Sequence, residues 1–272
     1  MRTISILCHE NQGETRYTVH DYASVWREDG HRVEFLFGAR RFAPADVLIV
    51  HVNLSVVPDE YLELAGRYPI VLNGKVKDIR KSNYSVLRLA REDTYSGRVI
   101  AKSNLNYAGA PEALQGAVRH ADPAGARFRS PLDYRIYPSM ADVPAGDWSD
   151  PEVIVERFVP EMERGLYVTR AMNFFGDRVT CGKLVGPHPI VNGETQTRIE
   201  RVEPHREMLR LRKTMGFDFG KLDYVLGEDG VPILLDANKT VGTSNIPMTP
   251  ERSKVRRFRA EGLYAYFERG GR

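Results

Sequence analysis

Short apolar runs alternate with segments of helical periodicity over residues 1 to 76. The runs TISILC, HRVEFLFG, ADVLIVHVN and PIVLNG predict strands, whereas YTVHDYASVWREDG and PDEYLELAGRY have the spacing of amphipathic helices. ADVLIVHVN is continuous and rich in β-branched residues, which is typical of a strand buried on both faces. Strands that alternate with helices predict a parallel sheet covered by helices, so the fold class is α/β.

From about residue 77 longer strands and hairpins replace this alternation. We predict a helix over KDIRKSNYSVLRLARE, a strand over GRVIAKSNLN and, after a poorly periodic connection at residues 119 to 150, a strand over EVIVERFVPE. Two hairpins follow, YVTRAMNFFGDRVTCGKLVG turning at Gly176 and Asp177, and LDYVLGEDGVPILLDANKTVG turning at residues 227 to 230. Helices are predicted over VEPHREMLRLRKTMGF and at the end, where Thr249 caps a helix opened by Pro250. This part is therefore α+β.

Polar residues stand at the ends of three predicted N-terminal strands. His9 and Glu10 follow the first, His51 and Asn53 lie at the end of another, and Asn73 follows the last. Parallel sheets bind ligands beyond the carboxyl ends of their strands, which makes these positions candidates for a substrate crevice. The alternative is that they only mark where each buried strand ends.

The composition is that of a globular protein, with 42% hydrophobic and 28% charged residues. A net charge of +3 over 272 residues does not indicate a nucleic-acid or membrane partner. The two cysteines, Cys8 and Cys181, lack metal-ligand spacing and are expected to be buried thiols in a reducing compartment. No apolar run approaches the ~20 residues of a membrane helix, and MRTISILCHE does not fit a secretory signal, so we expect a cytoplasmic protein.

The second hairpin carries polar side chains within strands that otherwise look buried. Asp223 interrupts one apolar strand, and Asp236 and Asn238 end the other. The hairpin brings these three residues together, and residues two apart on a strand share a face. Two carboxylates and an amide oxygen form a hard oxygen site, which favours Mg²⁺ with phosphate and water as its remaining ligands. We therefore predict a metal site at Asp223, Asp236 and Asn238, with Mn²⁺ as the alternative ion.

The order of motifs in residues 75 to 250 resembles the ATP-grasp superfamily, which includes D-alanine–D-alanine ligase and glutathione synthetase. The resemblance rests on LDYV followed by LLDANKTVG, on VIAK followed by the loop SNLNYAGAPE, on KDIRKS and on VIVERFVPE. NKTVG departs from the commoner Asn-x-x-Pro-Gly, and the loop has few glycines. The resemblance implies a Rossmann-like N-terminal domain at residues 1 to 76, followed by an ATP-grasp domain at 77 to 272. In the latter, residues 95 to 159 would carry the lysine and loop, and 160 to 272 the metal.

The resemblance also implies which residues bind ATP. The set comprises Lys81, Lys102, Gly109, Glu156, Arg157, Phe158, Val159 and Glu163. The two lysines would contact the phosphates beneath the loop that contains the glycine. The backbone of residues 157 and 159 would meet the adenine edge, Glu156 would lie against the adenine amino group, and Glu163 would bind the ribose hydroxyls.

The family's usual reaction implies an ADP-forming carboxylate–amine ligase that works through an acylphosphate. Its partners would be ATP and a small carboxylate and amine, such as an amino acid or peptide, with a homodimer left open. Developing negative charge at the reacting carbon would need a cation. Lys221 and Arg170 are our candidates for this catalytic role, ahead of Lys183.

Two other functions remain open at this stage. An ATP-grasp kinase would use the same metal site but transfer phosphate to a hydroxyl. A regulator that binds nucleotide without turnover is the other, although the intact Lys102, Asp223, Asp236 and Asn238 argue against it. An NAD-type oxidoreductase is disfavoured because no G-x-G-x-x-G follows the first strand.

Overall fold

The computed structural model describes residues 1–12, 17–116, 127–243 and 247–269. The N-terminal part is a parallel sheet of four strands, as predicted. The strand order in this sheet is β2-β1-β3-β4. The predicted connection at residues 119 to 150 lies partly outside the described residues. The elements of the N-terminal part are β1 (Thr3–Cys8), α1 (Thr18–Glu28), β2 (Arg32–Phe37), β3 (Val47–Val50), α2 (Asp59–Ala65) and β4 (Val71–Leu72).

A small antiparallel sheet follows, with strand order β6-β5-β7. Its central strand carries Lys102, and the neighbouring β7 carries Glu156. The elements of this part are β5 (Val99–Ser103), α3 (Ala110–Leu114), β6 (Arg135–Tyr137), α4 (Ala145–Ser149) and β7 (Val153–Arg157).

The largest sheet is antiparallel, in the order β11-β10-β9-β12-β13, with the short β8 beside β9. Both predicted hairpins are present, as β9–β10 and β12–β13. The elements are β8 (Glu161–Glu163), β9 (Leu166–Phe175), β10 (Arg178–Gly186), β11 (Arg198–Val202), α5 (Arg206–Thr214), β12 (Phe219–Leu226), β13 (Pro232–Asn238), α6 (Pro250–Ala260) and α7 (Tyr264–Arg269). Thr249 caps α6 through its hydroxyl, which accepts a hydrogen bond from the backbone of Arg252.

The two faces of the β12–β13 hairpin have different compositions. Leu222, Tyr224, Leu234 and Ala237 belong to a buried cluster that includes Met208 of α5. Side chains alternate along β12, so Asp223 lies on the other face, towards the small sheet. In β13 a register shift between the Asp223–Asp236 and Tyr224–Leu234 pairs brings Asp236 to the same face as Asp223. The apolar face thus fixes the register that presents the acids.

The helix predicted over residues 77 to 92 is wrong. Only a single 3₁₀ turn forms, at Lys81–Asn83. The Asp78 carboxylate accepts hydrogen bonds from both the backbone and the guanidinium of Arg80, which favours a turn over a helix. Further on, the backbone of Leu87 and Leu89 bonds to β7, so this stretch is extended.

The N-terminal sheet and the C-terminal helices share one core. Trp26 of α1 is fully buried and packs edge-on against Phe175, and its indole N–H donates to the carbonyl of Ala260 at 2.9 Å. Phe219 and Leu263 belong to the same cluster. Both cysteines are buried and free, and burial raises the pKa of the Cys8 thiol to about 12. No helix in the described ranges is long and apolar enough to span a membrane.

Asn73 links the N-terminal sheet to β12. Its amide oxygen accepts from the backbone of Asp218 and Phe219, and its amide nitrogen donates to the carbonyl of Phe219. The residue is fully buried and adopts a left-handed backbone, with φ 58°. Of the predicted crevice residues, this one therefore holds the strand that carries Asp223.

Asn73→Ala is expected to lower the free energy of unfolding by about 2–4 kcal/mol, because three buried hydrogen bonds are lost. Asn73→Gly removes the same bonds but tolerates the left-handed backbone, so it should cost about 1 kcal/mol less. Urea unfolding of both variants tests this. Two variants within about 0.5 kcal/mol of the wild type would contradict the linking role.

His51 makes stability depend on pH. It is fully buried, packs against the Tyr17 ring at 5.1 Å, and burial lowers its pKa to about 3. The unfolded chain binds a proton near pH 6.5 and the folded chain does not, so stability falls as the pH drops from about 6.5 towards 3. From pH 7 to pH 5 this contribution amounts to about 2 kcal/mol. Urea unfolding at both values should show a smaller drop in His51→Gln, and an equal drop would refute the assignment.

Candidate functional site

The two acidic side chains of the predicted metal site lie directly opposite each other. Asp223 of β12 pairs in register with Asp236 of β13, and Lys221 pairs with Asn238 on the same face. Such cross-strand pairs have Cβ atoms about 4.5–5.5 Å apart. The Lys221 ammonium lies 2.6 Å from the Asp223 carboxylate. The hairpin therefore presents two carboxylates with a cation beside them.

Two lysines from outside the large sheet reach the same hairpin. The Lys81 ammonium contacts the Asp236 carboxylate at 3.0 Å and also donates to the carbonyl of Leu105. Lys102 of β5 contacts the Glu156 carboxylate at 2.7 Å and donates to the carbonyl of Leu235 at 3.1 Å. Both lysines are buried, and their contacts hold the small sheet against β13. A molecule between the two sheets would have to separate them and take over these contacts.

The two carboxylates differ in their proton affinity. Burial raises the pKa of Asp223, and repulsion from Asp236 adds to it despite the attraction of Lys221. Burial also acts on Asp236, but attraction to Lys81 and Lys221 outweighs it and lowers the pKa. Attraction to Asp223 likewise outweighs burial and raises the pKa of Lys221. The charges of the facing Asp223 and Asp236 carboxylates are thus balanced by nearby lysines. A divalent cation between the two carboxylates would relieve their mutual repulsion.

The donors of this face fit a magnesium ion, since hard cations prefer carboxylate and amide oxygens. Asp223 and Asp236 supply two carboxylates. The Asn238 amide oxygen accepts a hydrogen bond from the backbone of Thr240 at 2.7 Å, which fixes its orientation. Within the described ranges, no group of three or more His, Cys, Asp or Glu side chains could hold a metal ion. Any ion here would therefore rely on the amide and on ligand oxygens.

Two tyrosines that the sequence reading missed are within electrostatic range of Asp236. The Tyr84 hydroxyl accepts a hydrogen bond from the backbone of Ala237 at 3.1 Å, between Asp236 and Asn238. Burial raises the pKa of both Tyr84 and Tyr134, and the Asp236 charge adds to this. Tyr84 follows Lys81 within the stretch mispredicted as a helix, where nothing in the sequence marks it.

The loop after Lys102 is folded back rather than extended. Tyr107, Ala108 and Gly109 have φ values of 44°, 59° and 79°, three successive left-handed residues in which only the last is free of a Cβ penalty. Asn106 anchors the loop by donating from its backbone to the Ser55 hydroxyl at 2.7 Å. Strained backbone of this kind clusters at functional sites. Gly109 thus belongs to a strained stretch inside the predicted phosphate loop, SNLNYAGAPE.

The predicted adenine hinge is partly engaged by the protein itself. The backbone amides of Arg157 and Phe158 donate to the carbonyls of Leu87 and Arg98. For the amide of Val159, the described part of the chain offers no backbone acceptor. The Glu156 carboxylate is 1% exposed and is held by Lys102.

The structure does not bring Arg170, Lys183 and Glu163 to the acidic face. Arg170 pairs in register with Lys183 and Tyr224, whereas Asp223 pairs with the next residue, Ala171. Residues next to each other on a strand point to opposite faces, so Arg170 points away from Asp223. Its guanidinium contacts the Glu161 carboxylate at 2.6 Å.

Glu163 accepts from Lys183 at 2.7 Å and also pairs with Arg198. The hydrogen bond from Lys183 lowers the pKa of Glu163 and raises that of Lys183. Together with Glu200, which pairs with both cations, these three side chains form a separate charged group contributed by β8, β10 and β11.

The end of β13 joins the polar strand ends of the N-terminal sheet. The fully buried Lys239 donates to the carbonyl of Leu54 at 2.7 Å, and the Thr240 hydroxyl donates to the Asn53 amide oxygen at 2.6 Å. Burial lowers the pKa of Lys239 to about 7. Asn53 is therefore engaged by the end of β13. The sequence reading missed Lys239 and Thr240, whose only signal was their position directly after Asn238.

Comparisons with known proteins agree with this architecture. No protein-family model matches the chain, and no curated protein matches it. Among solved structures, the ATP-grasp ligase PsnB, complexed with a phosphomimetic variant of minimal precursor, Mg and ADP, is 14% identical; the match covers 96% of this chain and 98% of that one, with a TM-score of 0.55. A second solved structure is a Chryseobacterium gregarium RiPP-associated ATP-grasp ligase in complex with ADP and a leader and core peptide. It is 8% identical, and the match covers 97% of both chains with a TM-score of 0.58.

The D-alanine–D-alanine ligase from Coxiella burnetii is a third such structure. It is 11% identical, and the match covers 100% of this chain and 96% of that one with a TM-score of 0.55. All three matches extend over nearly the whole chain. The protein therefore has the ATP-grasp fold.

Proposed function

We propose that this protein is an ADP-forming ligase that joins a carboxylate to an amine through an acylphosphate. The observation that carries the proposal is the meeting of Asp223 and Asp236 with Lys81 and Lys102 between two sheets of an ATP-grasp fold. Its domains would be residues 1 to 76 and 77 to 272, with the lysine and loop at 95 to 159 and the acids at 160 to 272.

ATP would lie between the small and the large sheet. Lys81 and Lys102 would exchange their present partners, Asp236 and the carbonyl of Leu235, for phosphate oxygens. Asp223, Asp236 and Asn238 would hold Mg²⁺, which when bound neutralises phosphate charge. The amide of Val159 would donate to the adenine edge. Similar structures that contain ADP or Mg support this assignment.

The chemistry follows from this arrangement. A carboxylate oxygen of the substrate attacks the γ-phosphorus, the bond to the bridging oxygen breaks, and ADP leaves. An amine then attacks the acyl carbon, phosphate departs, and the nitrogen loses a proton to give an amide. Phosphoryl transfer needs positioning and charge stabilisation more than a protein nucleophile. Lys221, beside Asp223, would stabilise the oxyanion, whereas Arg170 lies on the other face and has no part here.

A trapping assay with hydroxylamine tests the proposal. ATP and Mg²⁺ are mixed with a panel of amino acids and short peptides, with hydroxylamine as the amine. A ligase releases ADP and forms a hydroxamate in equal amounts, because hydroxylamine attacks the acylphosphate. ADP with a phosphorylated hydroxyl product would instead indicate a kinase. Nucleotide binding without ADP in any mixture would contradict the proposal and favour a regulator.

A further inference from the structure

A second cleft lies at the start of β12, away from the acidic face. Its volume is about 750 Å³, and its walls come from α2, the residues after β4, the β9–β10 turn, the end of α5 and α7. Asp218, which directly precedes β12, lines the cleft. Asp223 lies about 17 Å further along the extended chain, within β12. None of the residues proposed above for nucleotide or metal binding lines this cleft.

The charged groups of the cleft are unequally satisfied. Asp218 accepts from the backbone of Asn73 and from the Tyr266 hydroxyl, each at 2.8 Å, and Asp177 lies 3.7 Å from the guanidinium of Arg178. The three cations of the lining are Lys75, Arg212 and Lys213. Across the described ranges, none of the three has a carboxylate within 4.0 Å. The lining therefore carries three cations against the two carboxylates of Asp177 and Asp218, and its net charge is positive.

Arg212 is the least satisfied of these cations. The residue is only 6% exposed, and its Nε atom has no hydrogen-bond partner in the described part of the protein. One face of the guanidinium lies over the Phe174 ring at 4.7 Å. Compensation of the helix dipole explains cations in the last turn of α5 but not the burial of one of them. Asp218 and Asp177 attract Arg212 but make no direct ion pair with it. A buried guanidinium without a direct ion pair is costly, and its planar donors match carboxylate or phosphate oxygens.

We propose that this cleft binds an anionic small molecule through a phosphate or carboxylate group held by Arg212, with Lys75 and Lys213 at the rim. The volume suits a ligand of metabolite size, larger than the anionic group itself. Such a ligand would bridge the N-terminal sheet and the start of β12. It would therefore stabilise the folded chain, by an amount that grows with the logarithm of the ligand concentration once this exceeds the dissociation constant.

Binding of inorganic phosphate and of citrate to the full chain tests the site and distinguishes the two anionic groups. Phosphorus NMR titration measures phosphate, and calorimetry measures citrate. The variants are Arg212→Gln, Lys213→Gln, which removes an exposed cation and so spares the fold, and Arg210→Gln as the matched exposed control on α5. The double variant Lys102→Met with Glu156→Gln, which removes both charges of the buried pair, reports any anion that enters the nucleotide cleft instead.

We expect saturable binding of one of the two anions, weakened about 10-fold or more by Arg212→Gln and by Lys213→Gln. Arg210→Gln and the double variant of Lys102 and Glu156 should bind it as the wild type does. Binding of neither anion would overturn the proposal, as would wild-type affinity in both the Arg212 and the Lys213 variant. Loss of binding in the double variant alone would also overturn it, by assigning the anion to the nucleotide cleft.

Discussion

Replacing Asp236 by alanine is expected to lower ADP formation by at least about 100-fold, because the metal site loses one of its two carboxylates. Asp236→Asn should lower ADP formation nearly as much, because it removes the negative charge. It keeps the shape of the side chain and an acceptor for Lys81. The asparagine variant leaves Lys81 a hydrogen-bond partner and the attraction of Asp223, and it removes the repulsion between the two carboxylates. Its free energy of unfolding should therefore stay close to that of the wild type. ADP release and urea unfolding are measured on both variants.

Glu228→Ala is the matched control for this prediction. Glu228 lies in the exposed turn of the same hairpin, so its removal should change ADP release less than about 2-fold. An Asp236→Asn variant with near-normal turnover and an intact fold would refute the metal site.

Lys102 is expected to show the second large effect. Lys102→Met leaves the Glu156 carboxylate, 1% exposed, without its cation, and should lower the free energy of unfolding by about 3–5 kcal/mol. The double variant Lys102→Met with Glu156→Gln removes both charges and should recover most of this stability. ADP formation should remain at least about 100-fold below that of Glu156→Gln alone, because the phosphate contact is still missing.

The comparison separates folding from chemistry. Urea unfolding reports the stability of the three variants, and ADP release reports their turnover. If the double variant regained both stability and turnover, Lys102 would serve only to neutralise Glu156, and its role at the phosphates would be excluded.

The hairpin that carries the proposed metal site could be predicted because two local signals agree. Leu222 and Tyr224 alternate with Asp223, which fixes one buried and one polar face, and the turn fixes which strands meet. Arg170 illustrates the limit of this reasoning. Its face depends on the register between β9 and β12, which pairs Asp223 with Ala171, and no local signal in β9 determines that register.

The helix prediction for the segment around Lys81 was wrong for a different reason. Its composition is compatible with a helix, but the Asp78 side chain binds the backbone of Arg80, and Leu87 and Leu89 pair with β7. Tertiary contacts therefore override helical propensity. The same is true of Lys239, whose burial depends on an acceptor carbonyl at Leu54, far away in the sequence.

A crystal structure with a non-hydrolysable ATP analogue and Mg²⁺ tests the central claim most directly. We predict an ion about 2.1 Å from carboxylate oxygens of both Asp223 and Asp236, bridged to the terminal phosphates, with Lys81 and Lys102 on the phosphate oxygens. A nucleotide bound elsewhere, or an ion that neither carboxylate contacts, would contradict the account.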